Sequence, residues 1–287
     1  MAKYRDALPQ LGRRLFLTDG GIETTLTFLE GHELPYFAAF HLLKDTAGER
    51  AIERYFTTYA SLAKARGVGC VLESATWRAS ADWGAKLGYS TEALRDANRR
   101  AVALLHEIRA RHETAATPMV VSGCIGPRGD GYNPEGFMSA AEAEQYHALQ
   151  AKTFRDADAD MVTAITMTYP NEAIGVARAA SAAGMPIAIA FTVETDGRLP
   201  NGQPLGEAIE EVEAATGGAP AYYMVNCAHP THFADALTPG AAWASRIRGL
   251  RPNASAKSHA ELDQATELDA GDPADLARRG RALAAVL

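Results

Sequence analysis

The sequence is poor in cysteine: Cys70, Cys124 and Cys227 are its three thiols in 287 residues. They are too few and too scattered for a disulfide framework, and a reducing compartment, the cytoplasm, is the expected location. No run of about 18 uninterrupted apolar residues occurs, which argues against a membrane span. Nor is Met1-Ala2-Lys3-Tyr4-Arg5 followed by an apolar stretch of signal-peptide length. Excess positive charge is missing as well. Lys and Arg number 28 against 35 Asp and Glu, giving a net charge of -7, so a nucleic-acid partner, which needs clustered cations, is not expected. The arginines of 95–111 are interleaved with acids and read as a solvated helix face. Neither a strand-linked GxGxxG nor a GxxxxGK[ST] loop occurs, so nucleotide binding has no positive support.

What is present is core material in a regular alternation. Hydrophobic residues make up 47% of the chain, enough for one large α/β domain over 1–287. Short apolar runs at Leu15–Leu17, Gly67–Trp77, Met119–Ser122, Met161–Thr168, Pro186–Val193 and Ala221–Cys227 read as strands, with a weaker seventh at Ile247–Leu250. Between them, 48–66, 91–112, 139–157, 171–183 and 204–216 show helical spacing. Asp272-Pro273 is an N-cap with proline at the first helical position and opens a last helix. Strands apolar on both faces, alternating with helices, imply a parallel sheet covered by helices. Seven such units favour a (β/α)8 TIM-type barrel whose eighth strand is missing from this sequence. A further segment or a partner is expected to close that gap, since open strand edges are costly.

In such a barrel the chemistry sits at the C-terminal ends of the strands. That rule selects Asp19, the Glu73–Trp77 stretch, Cys124, Met167 and Thr168, Glu194, Asn226 and Cys227 with His229, and Asn253. Asp19-Gly20-Gly21 could set a carboxylate and backbone N–H groups around a substrate, or simply cap the first loop. In Asn226-Cys227-Ala228-His229-Pro230-Thr231-His232 the cysteine could act as a nucleophile or, as thiolate, bind zinc. Cys227 and His229 fall on one side if the extended conformation persists, with His232 turning in after Pro230. A buried structural thiol beside two loop histidines is the alternative. Cys70 reads as a small core residue. His106, His112 and His147 fall on helices, and His259 could reach the mouth of the barrel.

At these residues the sequence resembles the homocysteine S-methyltransferase family. The resemblance covers nearly the whole chain and rests on Leu17–Gly21, Ser122–Pro127, Tyr169–Ala173, Ala190–Thr192 and, most specifically, Val225-Asn226-Cys227. It implies methyl transfer from a sulfonium or ammonium donor to the thiol of homocysteine or a related thiol or selenol. It further implies a Zn2+ ion to which Cys227 gives one of three thiolates, the substrate thiol being the fourth ligand. Asp19, Gly20, Glu73, Thr168 and Asn226 would then line the substrate. A free thiol titrates near pH 8.5, roughly, so few are thiolate at neutrality, and zinc coordination removes that proton.

Two departures from the family pattern stand out. Its other zinc cysteines lie in a Gly-Gly-Cys-Cys element, and no Cys-Cys pair occurs here. Many members also carry a glutamate for the substrate amino group where this chain has Met167, so either Glu73 or Glu194 substitutes or the ligand differs from homocysteine. The residues are open to three readings: a zinc-dependent thiol methyltransferase; the same chemistry with zinc on Cys227, His229 and His232, with or without His259; or an inactive barrel that binds a small ligand or a partner. The expected partners are a small thiol and a methyl donor, and homo-oligomerisation is left open.

Overall fold

The structure is a computed structural model and describes residues 1–132, 134, 136–237 and 240–284. Seven strands, β1 (Phe16–Thr18), β2 (Gly69–Glu73), β3 (Met119–Ile125), β4 (Met161–Met167), β5 (Ile187–Phe191), β6 (Tyr222–Asn226) and β7 (Ile247–Arg251), form one sheet in the order β1 to β7. The pairings β1–β2, β2–β3, β5–β6 and β6–β7 are all parallel. This is the strand order of a TIM-type (β/α)8 barrel through its seventh strand, as the alternation predicts, and no eighth strand occurs among the described residues. No helix of the described residues is long and apolar enough to cross a membrane.

The chain divides into two compact units. The first comprises 1–128, 146–163 and 179–186. A turn of helix, α1 (Ile22–Thr24), runs into a π-helical turn at Thr25–Leu29, which the hydrophobic periodicity does not signal. Helix α2 (Thr46–Arg66) starts where the Asp45 side chain accepts from the Ala47 and Gly48 N–H groups, each at 2.9 Å. It stops at Gly67, whose φ of 65° is the left-handed conformation glycine adopts without strain. Ile52, Tyr55, Phe56 and Ala63 are buried as their spacing implies, together with Ala60, while Leu62, expected on the same face, is exposed. A short unforeseen helix α3 (Ala81–Lys86) precedes α4 (Thr91–His112), which matches the expected range.

Asp160 ties this unit together from a fully buried position. Its carboxylate accepts from Arg109 Nη1 at 2.6 Å, from the Val121 N–H at 2.9 Å, and from the Lys3 and Tyr4 N–H groups. A buried carboxylate is tolerable only when its lone pairs are met in this way.

The second unit comprises 129–145, 164–178 and 187–287. Helices α5 (Ala140–Asp156) and α6 (Pro170–Ala182) each straddle the division, and α7 (Leu205–Thr216) lies within this unit. β5 and β6 run in register from Ala188↔Tyr222 to Phe191↔Val225. β6 meets β7 through an irregularity at Tyr223/Met224 that ends with Asn226 opposite Arg251. Short helices α8 (Pro230–Phe233) and α9 (His259–Asp263) come after β6 and β7, before α10 (Pro273–Ala284). α9 opens with a capping box between Ser258 and Glu261. The Asp272 cap foreseen for α10 is present, accepting from the Ala274 N–H at 2.8 Å.

Candidate thiol site at the end of β6

β6 ends at Asn226, and Cys227 then takes a left-handed conformation with φ of 55°. The extended path considered for Cys227–His229 is therefore not followed. Hydrogen bonds hold the turn on both sides of the residue. The Cys227 N–H donates to Arg251 O at 3.1 Å, and its carbonyl accepts from Asn253 Nδ2 at 3.0 Å and His259 Nε2 at 2.9 Å. A non-glycine residue with positive φ is worth a functional look because the surrounding structure must overdetermine it.

Thr166, near the end of β4, is another such residue, with φ of 61°. For a β-branched side chain this is a sterically costly conformation. Asn226 links the two. Its Oδ1 accepts from the Thr166 N–H at 2.9 Å, while Nδ2 donates to Thr166 Oγ1 at 2.9 Å and to Cys227 Sγ at 3.1 Å. Asn226, expected among the substrate contacts, thus spends both amide protons on its neighbours. The half-buried thiol also has Thr166 Oγ1 at 4.0 Å and the Tyr132 hydroxyl as partners. Burial pushes the Cys227 thiol up from its ordinary value, and the Asn226, Tyr132 and Thr166 bonds pull the other way.

His259, on α9, is 4% exposed. Its Nε2 lies 2.9 Å from Cys227 O, with Thr192 Oγ1 also at 3.2 Å. Nδ1 faces Glu194 Oε1 at 3.0 Å, so one of the two acids that could replace the one absent at Met167 is engaged by His259. Tyr132 stacks on the imidazole with centroids 4.1 Å apart and planes 6° from parallel. Its hydroxyl is bonded to Asn253 and to the Cys227 thiol, and burial drives it well above the usual phenol range. Tyr132, Thr166 and Thr192 were not selected from sequence. The available signal was weak: Tyr132 lies in the Gly/Pro-rich segment 127–136 after β3, where barrel enzymes carry functional loops.

His229 caps α8, its Nδ1 accepting from the Thr231 N–H at 3.3 Å. His232 lies 3.0 Å through Nε2 from Ala256 O. Among the described residues no three His, Cys, Asp or Glu side chains converge as a metal site. Cys227, His229 and His232 are accordingly not gathered around a common point, because the left-handed turn and the cap take them apart. Cys70 is fully buried in β2 and Cys124 is buried in β3, both within the first unit. The described residues thus supply one thiolate where a three-thiolate zinc site needs three, and they do not fit that group by themselves.

Thr168, just past β4, is fully buried, and its hydroxyl has no hydrogen-bond partner among the described residues. An orphaned buried hydroxyl calls for an explanation, and a bound ligand is one. Met167 is buried beside it and offers no charge. Three expected substrate contacts lie in the first unit. Asp19 is buried just past β1 and accepts from Tyr55 Oη at 3.2 Å. A side-chain carbon on Gly20 would come within 2.9 Å of the Tyr59 hydroxyl. Glu73 is buried at the end of β2, in register with Ser122.

Comparison with known proteins agrees with this architecture. The structure is similar to the homocysteine methyltransferase MmuM from Escherichia coli in its oxidized form, with TM-score 0.66 and 20% identity over 81% of this chain and 80% of that one. The metallated form of MmuM gives TM-score 0.66 at 20% identity, over 80% of each chain. The apo form gives 0.60 at 20% identity, over 80% of this chain and 78% of that one. At such identity the likeness is one of fold. No curated protein matched the sequence significantly. The family model for homocysteine S-methyltransferase matches residues 16–283, and the chain belongs to that family.

Proposed function

We propose that the chain methylates a small thiol, homocysteine or a related thiol or selenol, at the end of β6. The observation that carries this reading is the presentation of Cys227. The residue is held in a left-handed turn by bonds to both of its peptide groups, with its thiol facing the polar groups of Asn226, Thr166 and Tyr132. Family membership supplies the reaction class. The donor would be a sulfonium or ammonium compound, whose loss of methyl leaves a neutral thioether or amine. Nucleophile, methyl carbon and leaving group must be brought into line, and positioning supplies much of the acceleration in such a displacement.

Cys227 would be this chain's contribution to a zinc ion, which in the family deprotonates the acceptor thiol. The described residues do not complete such a site, and the roles that remain belong to the chain's own side chains. Asn226 and Thr166 orient the Cys227 thiol. Thr168 offers its unspent hydroxyl to the substrate, with Asp19, Gly20 and Glu73 proposed as further contacts. A reducing cytoplasm would keep Cys227 a thiol.

The test is incubation of the protein with homocysteine and either a methylsulfonium or a trimethylammonium donor, following thioether product and bound zinc together. Product that disappears in Cys227→Ser supports the proposal. Saturable thiol binding with no product from either donor, in protein carrying zinc, would sink it and leave a ligand-binding barrel.

A further inference from the structure

His259 makes more contacts than a structural histidine needs. Four stretches of chain meet on its ring: Thr192 and Glu194 after β5, Cys227 after β6, the α9 backbone that carries it, and Tyr132 from the loop before α5. Both nitrogens are engaged at 2.9–3.2 Å, which fixes the plane of the imidazole. That plane is the platform on which Tyr132 lies, nearly parallel at 4.1 Å. From there the phenol hydroxyl reaches Asn253 and the Cys227 thiol.

The arrangement is directional. The bonds of His259 to Thr192 and Glu194 orient the ring, the ring orients Tyr132, and Tyr132 ends on the thiol. We propose that His259 is a positioning residue that holds Tyr132 as a cover over Cys227, so that access to the thiol is set by the stack. Stacking favours the closed arrangement, and a ligand that competes for the ring can displace it.

The inference rests on Cys227 being the site thiol, but its readout is thiol access rather than methyl transfer, so the two fail separately. The measurement is the rate at which iodoacetamide modifies each cysteine in the intact protein, read by mass spectrometry. Cys70 and Cys124 are 0% and 3% exposed and serve as internal controls for loss of the fold. Tyr132→Ala and His259→Ala should each accelerate modification of Cys227 on the order of tenfold, with the other two cysteines unchanged. The double variant should go no faster than either single one, because both remove the same element. His259→Gln, which can still donate toward the Cys227 carbonyl but offers no ring, should match Tyr132→Ala and decides the case if His259→Ala does not fold. Three results would each overturn the proposal: Cys227 within about twofold of wild type in His259→Gln, no acceleration in Tyr132→Ala, or effects of the two positions that multiply.

Discussion

Cys124 and Cys227 both lie where a strand of the parallel sheet runs out, one in each compact unit, and their surroundings differ in kind. Cys124 sits within β3 on extended backbone and is buried. Its N–H donates to Ser74 Oγ at 3.0 Å, and its carbonyl accepts from Thr76 Oγ1 at 2.7 Å. The two hydroxyls bond each other at 2.6 Å. At Cys227 the strand has stopped, the backbone is left-handed, and the amide of Asn226 donates to the sulfur itself. Two residues held in that conformation, Thr166 and Cys227, cost about 1–3 kcal/mol each. Position at a strand end is thus common to the two thiols, and what marks Cys227 is a left-handed backbone together with a hydrogen bond from Asn226 to the sulfur.

The most severe way to break the contrast is to remove each thiol. Cys227→Ala should lower the rate of thioether formation by on the order of 100-fold or more, the scale of losing a metal- or substrate-holding group. Cys124→Ala should keep that rate and lose about 1 kcal/mol of stability. Parallel assays and thermal midpoints check both, and equal activity of the two variants would erase the distinction.

The polar partners give the next test. Asn226→Ala leaves the buried Thr166 N–H without its acceptor and should cost about 1–3 kcal/mol. Ser74→Ala does the same to the Cys124 N–H and should cost a similar amount. Only the first should also depress methyl transfer. If Ser74→Ala lowers the rate as much at matched stability, Asn226 has no special claim on the sulfur.

The alternation of the chain, the range of α4 and the Asp272 cap were legible in the sequence because local periodicity and capping chemistry set them. β3 runs to Ile125, past the Ser122 where its apolar run ends. Gly123 within β3 and Gly126 just past it have no room for a side chain, against the Phe154 ring and the Trp77 carbonyl respectively. The helical turns of 22–44 and α3 lack the long apolar repeat that periodicity detects. Within the site, Asn226 and Cys227 could be read from their place after β6. Tyr132 and Thr166 could not, because a stacking partner from a distant loop and a left-handed threonine leave no mark in local sequence.

A change of pH should report on the Cys227 thiol more gently. Burial raises the Cys227 thiol in the folded protein, so the folded state holds its proton where the unfolded chain has lost it. That stabilisation is complete below the unfolded value of about 8.5 and is lost as pH rises through the folded one. The slope contributed by one such proton is at most about 1.4 kcal/mol per pH unit. Urea midpoints from pH 7.5 upward should therefore fall less steeply in Cys227→Ala than in the wild type. Identical profiles would mean that the thiol is not held in its neutral form by the fold.

The smallest effect concerns the first unit's own candidate, Asp19, and asks whether any substrate contact lies outside the Cys227 cluster. Tyr55 Oη is one of the groups that fix the Asp19 carboxylate, at 3.2 Å. Tyr55→Phe removes that bond with little change of shape and should cost about 0.5–1.5 kcal/mol in folding stability. If Asp19 holds the substrate equally in the ground and transition states, a loosened carboxylate raises KM and leaves kcat alone. The expected rise is about twofold to tenfold, the same energy range expressed as a binding constant. A carboxylate that only caps the loop after β1 would give the stability loss with KM unchanged. In that outcome Asp19 serves the loop alone, and the contrast between the two strand ends widens to the two units.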